Sequence, residues 1–149
     1  MNHALVIGIN DYKHTDVYPK LRSAVKDAND IARKLTELNF EVDCSLNEDK
    51  DTVQLYWCNF LDKIAKEKCE VAVVYFAGHG VMANQYDCLL MKEAIAVSPY
   101  TGILPEGHSL KVQHLINDMR AHGNQMNIVI IDACRTMANV RGTVARNFG

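Results

Sequence analysis

Two short motifs in this chain carry a histidine and a cysteine that together could perform nucleophilic catalysis. His79 lies in Tyr-Phe-Ala-Gly-His-Gly (75–80), and Cys134 lies in Ile-Ile-Asp-Ala-Cys-Arg (130–135). A neighbouring imidazole can take the proton of a thiol, and the resulting thiolate can attack a carbonyl carbon to form a thioester. Each motif follows an apolar, β-branched run that predicts a buried strand. If the two strands are parallel, their carboxyl ends bring imidazole and thiol to one edge of a sheet.

The same motifs offer groups that could stabilise the charge formed on the attacked carbonyl oxygen. The backbone N–H groups of Gly80 and Cys134 are the natural donors to this oxyanion. Gly78 and Gly80 also leave the backbone around His79 without side chains, so a substrate could approach it closely. A cysteine after a core strand is by itself more often a small buried hydrophobe. The combination of the two motifs is what indicates catalysis.

The rest of the sequence predicts the elements that must position these motifs. Short apolar runs predict strands at 4–9, 40–44, 71–76 and 128–131. Apolar residues at steps of three and four predict helices from Leu21 to Leu38, from Val53 to Ile64 and from Leu110 to Met119, with Asp49 as the cap of the second. Residues 81–91 are predicted as a hairpin or loop and 92–109 as irregular. This order predicts an α/β fold, a mainly parallel sheet with helices on both faces.

Composition limits the classes of function. At 149 residues the chain is long enough for one domain with a single core. A formal charge of −2 gives no reason to expect binding to nucleic acid or to a membrane surface. No apolar stretch is long enough to span a membrane, and the start of the chain lacks a secretory signal. The five cysteines include no Cys-x-x-Cys pair, which favours a reduced, cytoplasmic location and no metal site.

The motifs resemble those of the caspase-like (clan CD) cysteine peptidases, and specifically their large catalytic subunit. In caspases a histidine precedes the cysteine motif by about 50 residues, and His79 precedes Cys134 by 55 residues. The segments 4–9 and 21–28 support the likeness. The resemblance implies a caspase-like three-layer sandwich, in which residues 1–135 form the p20-like catalytic domain and 136–149 a mobile tail or inter-subunit linker. It implies a cysteine endopeptidase that needs no cofactor.

The branch of the family determines the expected substrate. Caspases, which cleave after Asp, carry an arginine just before the first helix and a glutamine two residues before the nucleophile. Metacaspases and paracaspases carry acids at the matching points, which are Asp27 and Asp132 here, and cleave after Arg or Lys. Two such carboxylates would pair with a guanidinium, so the expected P1 residue is Arg, with Lys second. Two alternatives stay open: Arg22 lies one position from the caspase arginine, and Asp27 could be an ordinary exposed helix residue.

The resemblance also bears on metals and partners. Calcium-dependent metacaspases have an Asp-rich loop after the histidine, whereas Asp87 is the only acid in residues 81–90 here. One carboxylate is too few for a calcium site, so the paracaspase-like branch is favoured. The family's small (p10-like) subunit, or an equivalent C-terminal segment, is the expected partner, and a homodimer is a further expectation. A non-catalytic caspase-homology module that pairs through its sheet edge stays as an alternative.

Overall fold

The computed structural model describes residues 1–123 and 125–135. The strands are β1 (Asn2–Gly8), β2 (Phe40–Leu46), β3 (Val71–Ala83), β4 (Tyr86–Leu90), β5 (Ser109–Lys111) and β6 (Met126–Arg135). The helices are α1 (Ala24–Glu37), α2 (Lys50–Lys66) and α3 (Val112–Arg120). The predicted strands and helices follow one another in the predicted order, and β5 is an additional strand that the sequence did not predict. The tail predicted at 136–149 lies outside the described residues. In the part of the chain described, no helix has the length and apolarity of a membrane span.

β3 is the central strand of the sheet. Four strands run parallel in the order β2-β1-β3-β6. The second half of β3 pairs with β4 in the antiparallel direction, and β4 pairs in the same way with β5. The sheet is therefore mainly parallel, as predicted, with a small antiparallel extension at the carboxyl end of β3.

Helices cover both faces of this sheet. Because side chains alternate across a strand, neighbouring residues of β1 and β3 enter different cores. Val6 and Tyr75 pack with residues of α1 on one face. Leu5 and Phe76 pack with residues of α2 and α3 in the larger core on the other face. The three-layer α/β arrangement is confirmed.

Two strands are longer than the sequence predicted. β3 was expected to end at position 76 and β6 at 131, where their apolar runs end, but both continue through the motifs. His79 and Cys134 therefore lie within strands and not after them. The reason is that backbone hydrogen bonds between the two strands continue where the side chains become small or polar. The helix boundaries also differ, because Leu21 precedes α1 and Leu110 belongs to β5.

Two local predictions are confirmed. The β3–β4 connection is a hairpin whose central residues, Asn84 and Gln85, have φ of 48° and 68°. Positive φ at both positions is the signature of a type I′ turn, which matches the twist of the flanking strands. At the start of α2 the side chain of Asp49 accepts a hydrogen bond of 2.8 Å from the backbone N–H of Thr52, as expected of an N-cap.

Gly8 gives a test of the packing between β1 and α1. A Cβ atom at this position would lie 2.7 Å from the Cβ of Ala28 and 3.0 Å from the carbonyl oxygen of Ala24. We expect Gly8→Ala to lower the free energy of unfolding by about 1–3 kcal/mol, because helix and strand must separate to admit a methyl group. Urea unfolding followed by circular dichroism measures the loss.

Ala28→Gly in the Gly8→Ala background is the matched control. It removes the nearest contact, so the double variant should lose less stability than the sum of the two single variants. Strictly additive losses would show that the effect of Gly8→Ala does not arise from this contact.

Candidate active site

His79 and Cys134 are direct neighbours on adjacent parallel strands. β3 and β6 pair in a register that sets His79 opposite Cys134 and Ala77 opposite Asp132. Residues opposite one another in a parallel pair present their side chains on the same face of the sheet. Since Tyr75 and Ala77 pack on the α1 face, His79 and Cys134 lie on that face too. The structure thus brings together the two residues that the motifs indicated.

The imidazole of His79 is held between two backbone carbonyls. Its Nε2 lies 2.6 Å from the carbonyl oxygen of Pro19, and its Nδ1 lies 3.2 Å from that of Cys134. A neutral imidazole has one N–H group and donates to one carbonyl only. We assign the proton to Nε2, which makes the shorter contact, and this leaves the lone pair of Nδ1 on the side of Cys134. Nδ1 is then the ring nitrogen without a proton, and it lies beside the backbone of the residue that carries the thiol.

The two side chains differ in their access to solvent. His79 is 4% exposed, whereas Cys134 is exposed. The rings of Tyr12 and Tyr18 flank the imidazole, with centroids 4.7 and 5.9 Å from its own. An imidazole of fixed orientation beside a thiol open to the surface is an arrangement that a molecule arriving from solvent could reach.

A cleft of about 120 Å³ opens beside Cys134. Its walls come from the start of α1 and from the carboxyl halves of β3 and β6. Asp27 and Asp132, the two residues expected in the S1 pocket, both line this cleft together with Cys134. A larger cavity of about 270 Å³ lies between α2, β5 and α3, and its lining includes none of these three residues. We take the smaller cleft as the candidate substrate pocket because it adjoins the thiol.

Tyr75 joins this group of carboxylates. Its hydroxyl donates a hydrogen bond of 3.1 Å to Oδ2 of Asp132. Burial, and beyond it the negative charges of Asp132 and Asp27, raise the pKa of Tyr75 well above its usual value. The phenol therefore keeps its proton at neutral pH and acts as a donor, so it orients the Asp132 carboxylate without adding charge.

The cleft also contains a positive side chain. Arg22, the residue on which the Asp-specific alternative depends, lines it too. Arg22 and Asp132 are exposed, and Asp27 is half-buried. The two carboxylates outnumber the one guanidinium, so these three side chains give the cleft a net negative charge. Water screens ion pairs formed at exposed groups, so each carboxylate contributes less here than it would in a closed pocket.

Gly78 has a packing role in addition to the one expected. A Cβ atom there would lie 2.6 Å from the hydroxyl oxygen of Tyr12 and 2.8 Å from the ring of Phe76. Packing against two aromatic side chains therefore requires glycine here, and Gly78 also lines the cleft beside Cys134 that is described above.

The expected oxyanion donors lie within the sheet. Gly80 pairs with Leu89 of β4 and with Arg135 of β6, and Cys134 pairs with His79. A Cβ on Gly80 would lie 3.1 Å from that of Ala133, so the backbone here is closely approached. The role of the Gly80 and Cys134 N–H groups stays a prediction.

Sequence reasoning missed three contributors to this site. The carbonyl of Pro19 gives no sequence signal, because every residue has a carbonyl and only the fold selects this one. Tyr12 did give a signal, since it is an aromatic residue in a polar stretch between β1 and α1 and it is buried. Tyr75 lies in the histidine motif, but its contact with Asp132 depends on the register of β3 and β6.

A cluster of metal-binding residue types lies near the opposite end of the sheet. Single atoms of His3, Glu41 and Glu67 all lie within 4.8 Å of one another. Glu67 approaches Nε2 of the buried His3 at 2.8 Å, and Glu41 approaches Nδ1 at 3.5 Å. The carboxylates face different ring nitrogens, which is the geometry of a histidine bridging β1, β2 and the end of α2. That the catalytic chemistry needs no metal or cofactor stays a prediction.

Comparison with solved structures supports the fold. The Drosophila initiator caspase Dronc matches with a TM-score of 0.63 at 15% identity, over 87% of this chain and 47% of that one. A crystal structure of a protein from Geobacter sulfurreducens matches with a TM-score of 0.58 at 17% identity, over 89% of this chain and 50% of that one. At such identities the likeness shows the fold alone. The chain spans about half the length of these two structures.

Sequence comparison identifies the family. Among curated proteins there is no significant match to this sequence. The family model of the peptidase C14 caspase domain, however, matches residues 1–147. This match covers both motifs and every described strand and helix, and the fold agrees with it. The chain therefore belongs to the caspase domain family of cysteine peptidases.

Proposed function

We propose that this chain is the catalytic part of a cysteine endopeptidase, with Cys134 as nucleophile and His79 as base. The observation that carries the proposal is the β3–β6 register, in which the exposed thiol and the enclosed imidazole are opposite neighbours. The contact between Nε2 and the Pro19 carbonyl supports it, since a proton on Nε2 leaves the lone pair on Nδ1, which lies 3.2 Å from the carbonyl oxygen of Cys134. A reduced cytoplasmic location, in which the thiol stays available, is part of the proposal.

The proposed reaction has two halves. Nδ1 of His79 takes the proton of the Cys134 thiol, and the thiolate attacks the scissile carbonyl carbon. The N–H groups of Gly80 and Cys134 stabilise the oxyanion. The C–N bond then breaks, and His79 returns the proton to the leaving amine. A water molecule, deprotonated by His79, attacks the thioester, and the acid product leaves as the thiol regains its proton.

Cys134→Ala should abolish turnover and leave the fold intact, because the lost sulfur is at the surface and opens no cavity. His79→Ala should have nearly the same effect, with each change lowering kcat by at least about a thousandfold. Cleavage of peptides with P1 Arg, with unfolding curves as the control for folding, measures both effects.

The double variant is the internal control. Because the two residues act as one unit, Cys134→Ala with His79→Ala should be little worse than either change alone. Loss of a nucleophile should remove nearly all turnover. If Cys134→Ala kept more than about a tenth of the wild-type turnover, the assignment of Cys134 as nucleophile would be wrong.

We further propose that Asp27 and Asp132 select Arg at P1, with Lys second. The support is their presence in one cleft beside Cys134 and the donation from Tyr75 that orients Asp132. A carboxylate pair accepts the fork of a guanidinium in a way that a single ammonium group does not match.

Asp27→Asn and Asp132→Asn should each lower kcat/KM for Arg substrates by about 10- to 100-fold, which corresponds to about 1.4–2.8 kcal/mol. The tenfold loss is expected if the pocket stays as open to solvent as it is in this structure. Tyr75→Phe is the matched control, because it removes the donor to Asp132 without changing the charge, and its effect should be smaller. A peptide library that varies only P1 gives the measurement.

Arg22→Ala distinguishes the Asp-specific alternative. If the protein cleaves after Arg, this change removes a like charge from the cleft and should leave activity unchanged or raise it. If it cleaves after Asp, the change should remove activity. Equal cleavage after Asp and Arg by the wild type would contradict the proposed specificity.

A small subunit or C-terminal segment is proposed to complete the pocket. The solved structures that match are about twice as long as this chain. Among the described residues, β6 pairs with β3 alone and leaves Met126 54% and Ile130 42% exposed. The same open edge favours the alternative of a non-catalytic module that pairs with a partner. An acyloxymethyl ketone carrying P1 Arg decides, since it should label Cys134 only in an enzyme.

The tail offers a test of self-processing. Arg141 precedes Gly142 and Arg146 precedes Asn147, in a segment outside the described residues. A peptidase that cleaves after Arg should cut these bonds in itself or in a neighbouring copy. Mass spectrometry of a longer chain that includes the proposed C-terminal segment should show new termini at Gly142 or Asn147, and the same chain with Cys134→Ala should not. Identical masses in the two samples would mean that these arginines only keep the tail solvated.

A further inference from the structure

The loop between β1 and α1, residues 9–23, extends to the histidine strand through Tyr12. The Tyr12 hydroxyl accepts a hydrogen bond of 2.8 Å from the backbone N–H of His79 and donates one of 3.3 Å to the carbonyl of Leu90. Tyr12 is 4% exposed. Burial raises the pKa of the Tyr12 hydroxyl well above its usual value, so it keeps the proton that it donates.

This hydroxyl fills a gap in the sheet. β1 pairs with β3 as far as Ala77, and β4 pairs with β3 only from Gly80 onward. Between these points β3 changes neighbours, and the N–H of His79 has the Tyr12 hydroxyl as its partner. The hydroxyl thus links β3 to the carbonyl of Leu90 at the end of β4, at a point where neither β1 nor β4 pairs with β3. A buried N–H left without a partner is costly, so this contact is a strong constraint on His79.

Two further contacts join Tyr12 to the same histidine. Its ring meets the imidazole edge-on, with centroids 4.7 Å apart and planes at 69°. Its hydroxyl occupies the space that a side chain on Gly78 would need, at 2.6 Å from the missing Cβ. Tyr12 therefore contacts both the backbone and the ring of His79, and Gly78 makes this approach feasible.

The loop that carries Tyr12 also carries the Pro19 carbonyl that meets Nε2. It is attached to the segment after β4, because the N–H of Lys13 donates to Lys92 at 2.9 Å and the hydroxyl of Tyr18 donates to Ile95 at 3.0 Å. The loop thus fixes His79 at its backbone, at its ring edge and at Nε2. Movement of Tyr12 would shift the imidazole relative to Pro19.

We propose that Tyr12 is a positioning residue that holds the His79 imidazole against the Pro19 carbonyl, so that Nδ1 stays directed at Cys134. The inference rests on the proposed Cys134–His79 pair and adds a residue that acts through His79.

The test is the rate at which iodoacetamide alkylates Cys134 in the intact chain between pH 5 and pH 10. Peptide mass spectrometry separates Cys134 from Cys58, which is exposed on α2 and serves as an internal control. Tyr12→Phe should lower the Cys134 rate at neutral pH by about fivefold, which corresponds to about 1 kcal/mol, because the imidazole no longer holds the proton of the thiol in a fixed geometry. Nitrogen-15 NMR should show the His79 proton on Nε2 in the wild type and shared between both nitrogens in Tyr12→Phe.

Tyr18→Phe is the matched control, because it removes a hydroxyl from the same loop that bonds Ile95 and not His79. The rate at which Cys134 is alkylated in this variant should stay within about twofold of the wild-type rate. Its free energy of unfolding should fall by about as much as that of Tyr12→Phe. Equal alkylation profiles for the wild type and Tyr12→Phe overturn the inference. So do equal losses of rate in the two tyrosine variants, since these indicate loss of stability alone.

His79→Ala separates the inference from the proposed function. If Cys134 reacts as fast in this variant as in the wild type, the Cys134–His79 pair fails and the role of Tyr12 fails with it. If only His79→Ala lowers the rate, the pair stands and Tyr12 is not a positioning residue. Gly78→Ala gives an independent test of the contact, because its Cβ displaces the Tyr12 hydroxyl. When introduced into the wild type, Gly78→Ala should lower the alkylation rate of Cys134. When introduced into Tyr12→Phe, it should lower that rate little further.

Discussion

The pairing of β3 with β6 is the interaction on which the rest of the site depends. Its register sets His79 opposite Cys134 and Ala77 opposite Asp132. A slip of one residue would move every side chain of β6 to the other face of the sheet, and the thiol would enter the larger core. The same register brings Asp132 within reach of Tyr75. The positions of the thiol, the imidazole and the candidate specificity pocket are thus consequences of one backbone alignment.

A second constraint arises because β3 exchanges one neighbour for another. β1 ends as the antiparallel extension begins, so the sheet is incomplete beside His79. A loop side chain, that of Tyr12, supplies the hydrogen bond that a strand would otherwise provide. The candidate base therefore lies at a point where regular pairing is interrupted, and the carbonyl that meets its Nε2 belongs to the same loop. Local irregularity of the sheet and orientation of the histidine have one structural origin.

Much of the fold could be predicted from the sequence, because its signals are local. Apolar runs marked the parallel strands, and the Asp49 cap marked the start of α2. The continuation of β3 and β6 through their motifs could not be predicted, since glycine, histidine and aspartate carry no strand signal. Only the pairing of the two motifs with each other extends these strands. His79 and Cys134 could be singled out from residue types and spacing, whereas Asp27 and Asp132 came from a family likeness.

The doubly fixed β1–α1 loop limits where this domain can accept extra sequence. Six residues separate Tyr12 from Pro19, and both of these residues are fixed at the same histidine. The segment between them reaches the surface at Lys13, Thr15 and Asp16, but an insertion there acts on both residues that hold the imidazole. The turn around Tyr100, which is 95% exposed, carries no such restriction. An additional surface module or an engineered reporter is therefore better tolerated in the turn around Tyr100 than in the loop between β1 and α1.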